Sequence, residues 1–194
     1  MRMIRRRLVV LLAVGMLLSA CADESDPSAS PSAPSPSGSP TPVELEGSTC
    51  EPTQGGSNQS VPDFVEVIPE HAEGIDRVTF RFEPENASIT EAPSFSVQFV
   101  DQLTTDGEGA PVDVAGERFV QISFNAVGVR LVTETPEPVY TGPKEFISGY
   151  PNMVEVEQLG DFEAIISWGI GLNRAGCYRV ESSATEITLE FPSP

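Results

Sequence analysis

Apolar side chains recur at every second position in five segments of this chain. They are Val78, Phe80 and Phe82; Phe95, Val97 and Phe99; Val120, Ile122 and Phe124; Phe162, Ala164, Ile166, Trp168 and Ile170; and Ile187, Leu189 and Phe191. Because neighbouring side chains of a β-strand point to opposite faces, this alternation predicts strands with one face in a core. Shorter candidate strands are 64–68, 111–114, 153–158 and 178–182, and turn sequences lie at 83–86, 105–109, 159–161 and 173–176. We therefore predict an all-β domain, a β-sandwich or small barrel of about eight or nine strands.

The segment from Thr133 to Pro151 interrupts this pattern. Its prolines exclude a central strand, so we expect an ordered surface loop. Four of its side chains could line a binding surface: Tyr140, Lys144, Phe146 and Tyr150. The alternative is that the aromatic rings only hold the loop against the sandwich.

The start of the chain has the parts of an export signal. A basic stretch (1–7) and an apolar run (8–18) lead to Leu18-Ser19-Ala20-Cys21, which resembles the lipobox of bacterial lipoproteins. The resemblance implies a signal peptide over 1–20 and an acylated Cys21, with palmitate-type lipid holding the protein on the outer face of the cytoplasmic membrane. An ordinary signal peptide is the alternative. A membrane-spanning helix is disfavoured, because it needs about 20 apolar residues. The pair Arg5-Arg6 leaves both Sec and twin-arginine export open.

The next segment, 21–47, is rich in Ser, Pro and Ala. It carries too little apolar surface to offset the entropy of ordering, so we expect a disordered tether with a fully extended reach of about 80 Å. Residues 48–194 are long enough for one domain with its own core.

Two cysteines remain if lipid occupies Cys21. Cys50 and Cys177 form an even pair in an exported domain, which predicts a disulfide between them. Two buried free thiols are the alternative. A metal site is disfavoured, because two cysteines and the one histidine, His71, do not form a zinc set. The sequence predicts no cofactor.

Charge excludes several partners. Four of the 11 basic residues and none of the 29 acidic residues precede Cys21, so the remainder carries 7 basic against 29 acidic groups. Such a surface argues against nucleic acid and other polyanions.

Three segments resemble the AMIN-like domain of actinobacterial lipoproteins and secreted proteins. They are His71–Phe80, Gly160–Leu172 and, as a central hairpin, Asp106–Val112. The family commonly has an aromatic residue where this chain has Ile75. The resemblance implies a β-sandwich over about 61–191. By distant analogy with AMIN domains, it also implies peptidoglycan binding or localisation at the envelope.

No catalytic set accompanies this domain. Any Ser-His or Cys-His device would need His71, which we expect to be an exposed loop residue. The glycines of Gly169-Ile170-Gly171 lack the third glycine and the helix of a nucleotide site. Trp168 is expected in the core. Asp76 is expected on the inward side with a rim cation as its partner, from Arg118, Arg130, Arg174 or Arg179.

We therefore predict a non-enzymatic, lipid-anchored module for binding or localisation at the cell envelope, with peptidoglycan as the candidate ligand. The alternatives are an accessory or sensor lipoprotein that binds another envelope protein, and an unrecognised cell-wall hydrolase.

Overall fold

The computed structural model describes residues 44–59, 62–125, 127, 129–130, 137–138 and 140–194. Within these ranges the chain is all-β and contains no helix. The strands are β1 (Thr53–Gly55), β2 (Asp63–Ala72), β3 (Ile75–Glu83), β4 (Phe95–Val100), β5 (Arg118–Asn125), β6 (Val129–Arg130), β7 (Glu137–Pro138), β8 (Glu145–Ile147), β9 (Met153–Phe162), β10 (Ile165–Leu172), β11 (Arg179–Ser182) and β12 (Glu186–Pro192). The predicted signal peptide, Cys21 and nearly all of the predicted tether lie outside the described residues and stay predictions.

Two antiparallel sheets form a sandwich. The six-stranded sheet has the order β1-β4-β5-β10-β9-β8, and the four-stranded sheet has the order β11-β12-β3-β2. Strands β6 and β7 form a separate pair. Neither large sheet closes on itself, so the sandwich is confirmed over the barrel. It has slightly more strands than predicted, because the short edge strands β1 and β8 carry no alternation that a sequence could reveal.

The core lies between the inner faces of the two sheets. The alternating apolar residues of β3, β4, β5 and β12 are buried as predicted, except Phe99 at the end of β4, which is partly buried. Trp168 is fully buried and contacts Phe64 and Tyr140, with ring centroids 6.0 and 5.7 Å away. The alternation therefore located the core correctly, because each strand buries only one face.

The segment 162–170 is a correction, because it is not one strand. β9 ends at Phe162 and β10 begins at Ile165, with Phe162 and Ile165 paired across a two-residue turn. The turn residues Glu163 (φ 53°) and Ala164 (φ 62°) both have positive φ, which is the backbone of a type I′ hairpin. Glutamate and alanine carry no turn signal, so the break was invisible in the sequence.

The predicted turn at 159–161 is likewise wrong. Leu159 is the extra residue of a β-bulge within β9. Its neighbours in the chain pair with Trp168 and Ser167 of β10, and Leu159 pairs with neither. The strand predicted over 111–114 is also absent. Only a bridge between Thr104 and Pro111 is present there.

Residues 101–117 instead cross the outer face of the six-stranded sheet. Leu103 and Val114 form a second apolar cluster with Leu159. Gly171 must be glycine here, because a Cβ at this position would lie 1.8 Å from the Ala115 carbonyl oxygen. The glycines of the 169–171 sequence therefore serve close packing of this segment onto β10.

The disulfide between Cys50 and Cys177 is confirmed, with Cα atoms 4.6 Å apart and 127 residues of separation. It ties the start of the domain to the chain just before β11. Beside it, the fully buried Tyr178 donates its hydroxyl to the Glu51 carbonyl at 2.6 Å.

Candidate functional site

Tyr140 is a packing group in this fold. Its side chain is 4% exposed, its ring lies 4.8 Å from that of Phe64, and its hydroxyl donates to the Pro143 carbonyl at 2.6 Å. Burial raises the pKa of the Tyr140 hydroxyl to about 12. This placement corrects the expectation that the ring meets a ligand, and supports the alternative that it holds its loop onto the sandwich.

The other three predicted site residues do not join Tyr140 in one surface. Phe146, on the edge strand β8, packs against the core with its ring 6.2 Å from that of Trp168. Lys144 is exposed. Burial raises the pKa of the nearby Asp161 carboxyl, and the charge of Lys144 opposes part of that rise. Tyr150 contacts the far end of β2, where its hydroxyl donates to the Pro69 carbonyl. Within residues 140–151 the structure thus shows packed rings and one solvated cation.

Asp76 is fully buried, but its partners are not the arginines that the sequence suggested. Its Oδ2 accepts the backbone N–H groups of Asn152 (2.8 Å) and Met153 (2.7 Å). Its Oδ1 lies 2.5 Å from Nδ1 of His71. His71 is exposed, as expected, but it lies within β2 rather than in a loop. Because Oδ2 joins the four-stranded sheet to the start of β9 and Oδ1 contacts the neighbouring strand β2, this cluster is a structural clamp.

Neither a metal centre nor a membrane-spanning helix is present in the part of the chain that the structure describes. No group of three potential ligands among histidine, cysteine, aspartate and glutamate is close enough to hold a metal ion there. No helix in those ranges has the length and apolar character needed to cross a membrane.

Ion pairs between neighbouring strands cover the outer face of the four-stranded sheet. Its strands hold eight acidic and three basic residues. Arg81 lies 2.9 Å from Glu186 and 3.1 Å from Glu66, while Glu190 accepts from Arg179. These carboxylates raise the pKa values of both Arg81 and Arg179. The charges on this face are largely paired with one another.

The outer face of β1, β4 and β5 differs from it in chemistry. The strand register places amide and hydroxyl side chains along most of this face, and at one end the apolar pair Val100 and Phe119, which packs against the 101–117 segment. Arg118 is the single charged residue of these three strands, and no acidic residue lies in any of them. We call the polar part of this surface the neutral face, and its side chains are Gln54, Ser96, Gln98, Gln121, Ser123 and Asn125.

The neutral face has unused hydrogen-bonding groups. Gln54 and Gln98 are exposed, and neither side-chain amide makes a hydrogen bond to any described residue. At its border with the 101–117 segment, Ser123 and Ser167 share a hydrogen bond of 2.8 Å. Burial there raises the pKa of Asp106, an effect that a hydrogen bond to Ser167 opposes. The Oδ2 atom of Asp106 is buried without a partner among the described residues.

The sequence contained a signal for the neutral face that the strand prediction did not use. Serine and glutamine alternate with the buried residues in both β4 and β5, whereas most other strands place charged residues at such positions. The signal becomes clear only once pairing brings the two strands together.

Comparison with known proteins identifies one family. The model of the AMIN-like domain matches residues 63–189, which span β2 to β12. No curated protein and no solved structure matches the chain.

Proposed function

Because the chain belongs to the AMIN-like domain family, we propose that it is a non-catalytic, lipid-anchored module that binds peptidoglycan at the cell envelope. The ligand would lie on the neutral face. The family match supports an envelope-associated role, and the distribution of charge supports the choice of surface.

The single observation that carries this proposal is the absence of acidic residues from β1, β4 and β5 in so acidic a chain. Glycan strands present hydroxyl and acetamido groups, which are neutral and both donate and accept hydrogen bonds. Glutamine and asparagine amides do the same, so they can pair with such groups without burying a charge. A carboxylate covered by a glycan would lose its hydration and gain only hydrogen bonds from neutral donors.

Residues 1–47 support the anchoring part of the proposal. Lipid on Cys21 would hold the chain on the outer face of the cytoplasmic membrane, and a long tether would let the domain reach the wall. Cys21→Ser should abolish lipid attachment and leave an unprocessed precursor or a released protein. An unmodified Cys21 in membrane-bound protein, found by mass spectrometry, would contradict the anchor.

Binding is tested by cosedimentation of the chain from residue 21 onward, carrying Cys21→Ser, with purified sacculi. We expect the protein in the pellet, and we expect soluble glycan fragments to release it. Protein that stays in the supernatant at all salt concentrations would contradict the proposal.

A second candidate is supported by edge strand β8. Ile147 is 77% exposed on this strand, and an exposed edge can accept a further strand from another protein. An accessory lipoprotein that binds an envelope protein through β8 would be weakened by Ile147→Lys. Peptidoglycan binding on the neutral face would not respond to that substitution.

A further inference from the structure

A small cleft lies at the end of the sandwich where β4 ends and β5 begins, with Phe99 and Arg118 on the core side of the six-stranded sheet. Its volume is about 210 Å³, and it is lined by Phe99, Val100, Asp101, Glu117, Arg118 and Phe119. Pockets for drug-sized ligands measure roughly 300–1,000 Å³. The cleft is therefore suited to one chemical group at the end of a larger ligand.

Arg118 supplies the cation of this cleft and is largely uncommitted. Its guanidinium carbon lies 4.3 Å from the centroid of the Phe99 ring, in a cation–π contact. It makes one long hydrogen bond, 3.4 Å, to the Gly176 carbonyl. A guanidinium has five N–H donors in a planar fork, so most of the donors are free to take a carboxylate.

Arg118 differs from the three arginines of the four-stranded sheet. Arg77, Arg81 and Arg179 each pair with at least one carboxylate. Among the residues that the structure describes, no carboxylate lies within ion-pair distance of Arg118. Yet Asp101 and Glu117 line the same cleft.

The cleft contains one cation and two carboxylates that do not pair with each other. Such a cleft is complementary to a ligand that carries both a positive and a negative charge. A simple anion would be attracted by the guanidinium but repelled by the two carboxylates. A group with a carboxylate and an ammonium would place the first on Arg118 and the second beside Asp101 or Glu117, and so satisfy all three.

We propose that this cleft binds the zwitterionic end of an amino acid, carried by the peptide part of the wall polymer. This inference rests on the proposed function, because it adds a peptide subsite to a domain proposed to bind the glycan. The wall peptide contains such an end where its diamino acid is diaminopimelate, whose side chain ends in a free amino group and a free carboxylate.

The test compares two soluble muramyl tripeptides by isothermal titration calorimetry. One ends in meso-diaminopimelate, and the other ends in L-lysine, which keeps the amino group but lacks the second carboxylate. We expect the native chain to bind the first about tenfold to a hundredfold more tightly, as for hydrogen bonds between charged groups.

Arg118→Met should remove this preference, because it deletes the guanidinium donors. The methionine side chain still provides an apolar group to pack against the Phe99 ring. Arg174→Met is the matched control, since it removes the same charge from an exposed arginine. Asp101→Asn with Glu117→Gln, at two exposed positions, should weaken binding of both tripeptides without lowering the melting temperature. This second variant keeps the test valid if Arg118→Met proves unstable.

Equal affinity of the native chain for both tripeptides would overturn the inference. Equal losses of affinity for the diaminopimelate tripeptide in Arg118→Met and Arg174→Met would also overturn it. Sacculi stripped of their peptides separate this failure from that of the proposed function. Binding to stripped sacculi without any preference between tripeptides would refute the subsite alone, whereas no binding to any sacculi would refute both.

Discussion

Asp76→Ala is expected to destabilise the domain by about 3–5 kcal/mol. The side chain is fully buried, and its Oδ2 accepts two backbone N–H groups, from Asn152 and Met153. Each donor left buried without a partner costs about 1–3 kcal/mol. The contact with His71 adds little, because the histidine side chain is 34% exposed. Since small domains are stable by only about 5–15 kcal/mol, the loss should be large.

Urea unfolding followed by the fluorescence of the buried Trp168 gives the free energy of unfolding. His71→Ala should cost only about 1 kcal/mol, because the two N–H bonds to Asp76 remain. Glu70→Ala, on the exposed side of β2, is the control and should be close to neutral. If Asp76→Ala cost no more than His71→Ala, the clamp would not depend on the backbone donors. If it left stability unchanged but abolished binding to sacculi, Asp76 would belong to a ligand site.

Three further changes test other features of the fold. Ala164→Gly should stabilise the domain by about 0.5–1 kcal/mol, because glycine adopts the positive φ of the hairpin without strain; a lower midpoint in urea would contradict this backbone. Cys50→Ala with Cys177→Ala should cost roughly 5 kcal/mol by the loop-entropy model, which thermal melting measures against the oxidised protein. Asp106→Asn should raise the melting temperature at pH 7, because burial raises the folded pKa of this carboxyl and so penalises its charged form. The gain should shrink as the pH falls through the raised folded pKa of Asp106 and should vanish below the pKa of an unfolded aspartate, near 4. A gain that is constant with pH would refute the cause.

The fold was predictable where one face of a strand is buried. In β3, β5 and β12 the apolar residues alternate without interruption, and burial follows that alternation. Prediction failed where the backbone changes direction while the alternation of apolar residues continues. The turn at Glu163 and Ala164 and the bulge at Leu159 both leave the apolar sequence continuous, and only strand pairing reveals them.

The candidate site was less predictable, because it depends on contacts between distant segments. The partners of Asp76 are backbone donors at residues 152 and 153, which no side-chain pattern encodes. Aromatic residues at 140 and 146 suggested a recognition loop, yet aromatic rings also fill cores, and here they contact Trp168. The neutral face required β1, β4 and β5 to be placed side by side.

The most direct test of the neutral face adds charge to it without changing its shape. Gln54→Glu with Gln98→Glu places two carboxylates on this face at exposed positions. Asn58→Asp with Gln59→Glu adds the same charge in an exposed turn outside it. In cosedimentation with sacculi, we expect the first variant to bind at least about tenfold more weakly and the control to bind like the native chain. Equal binding by the two variants would show that peptidoglycan does not contact the neutral face.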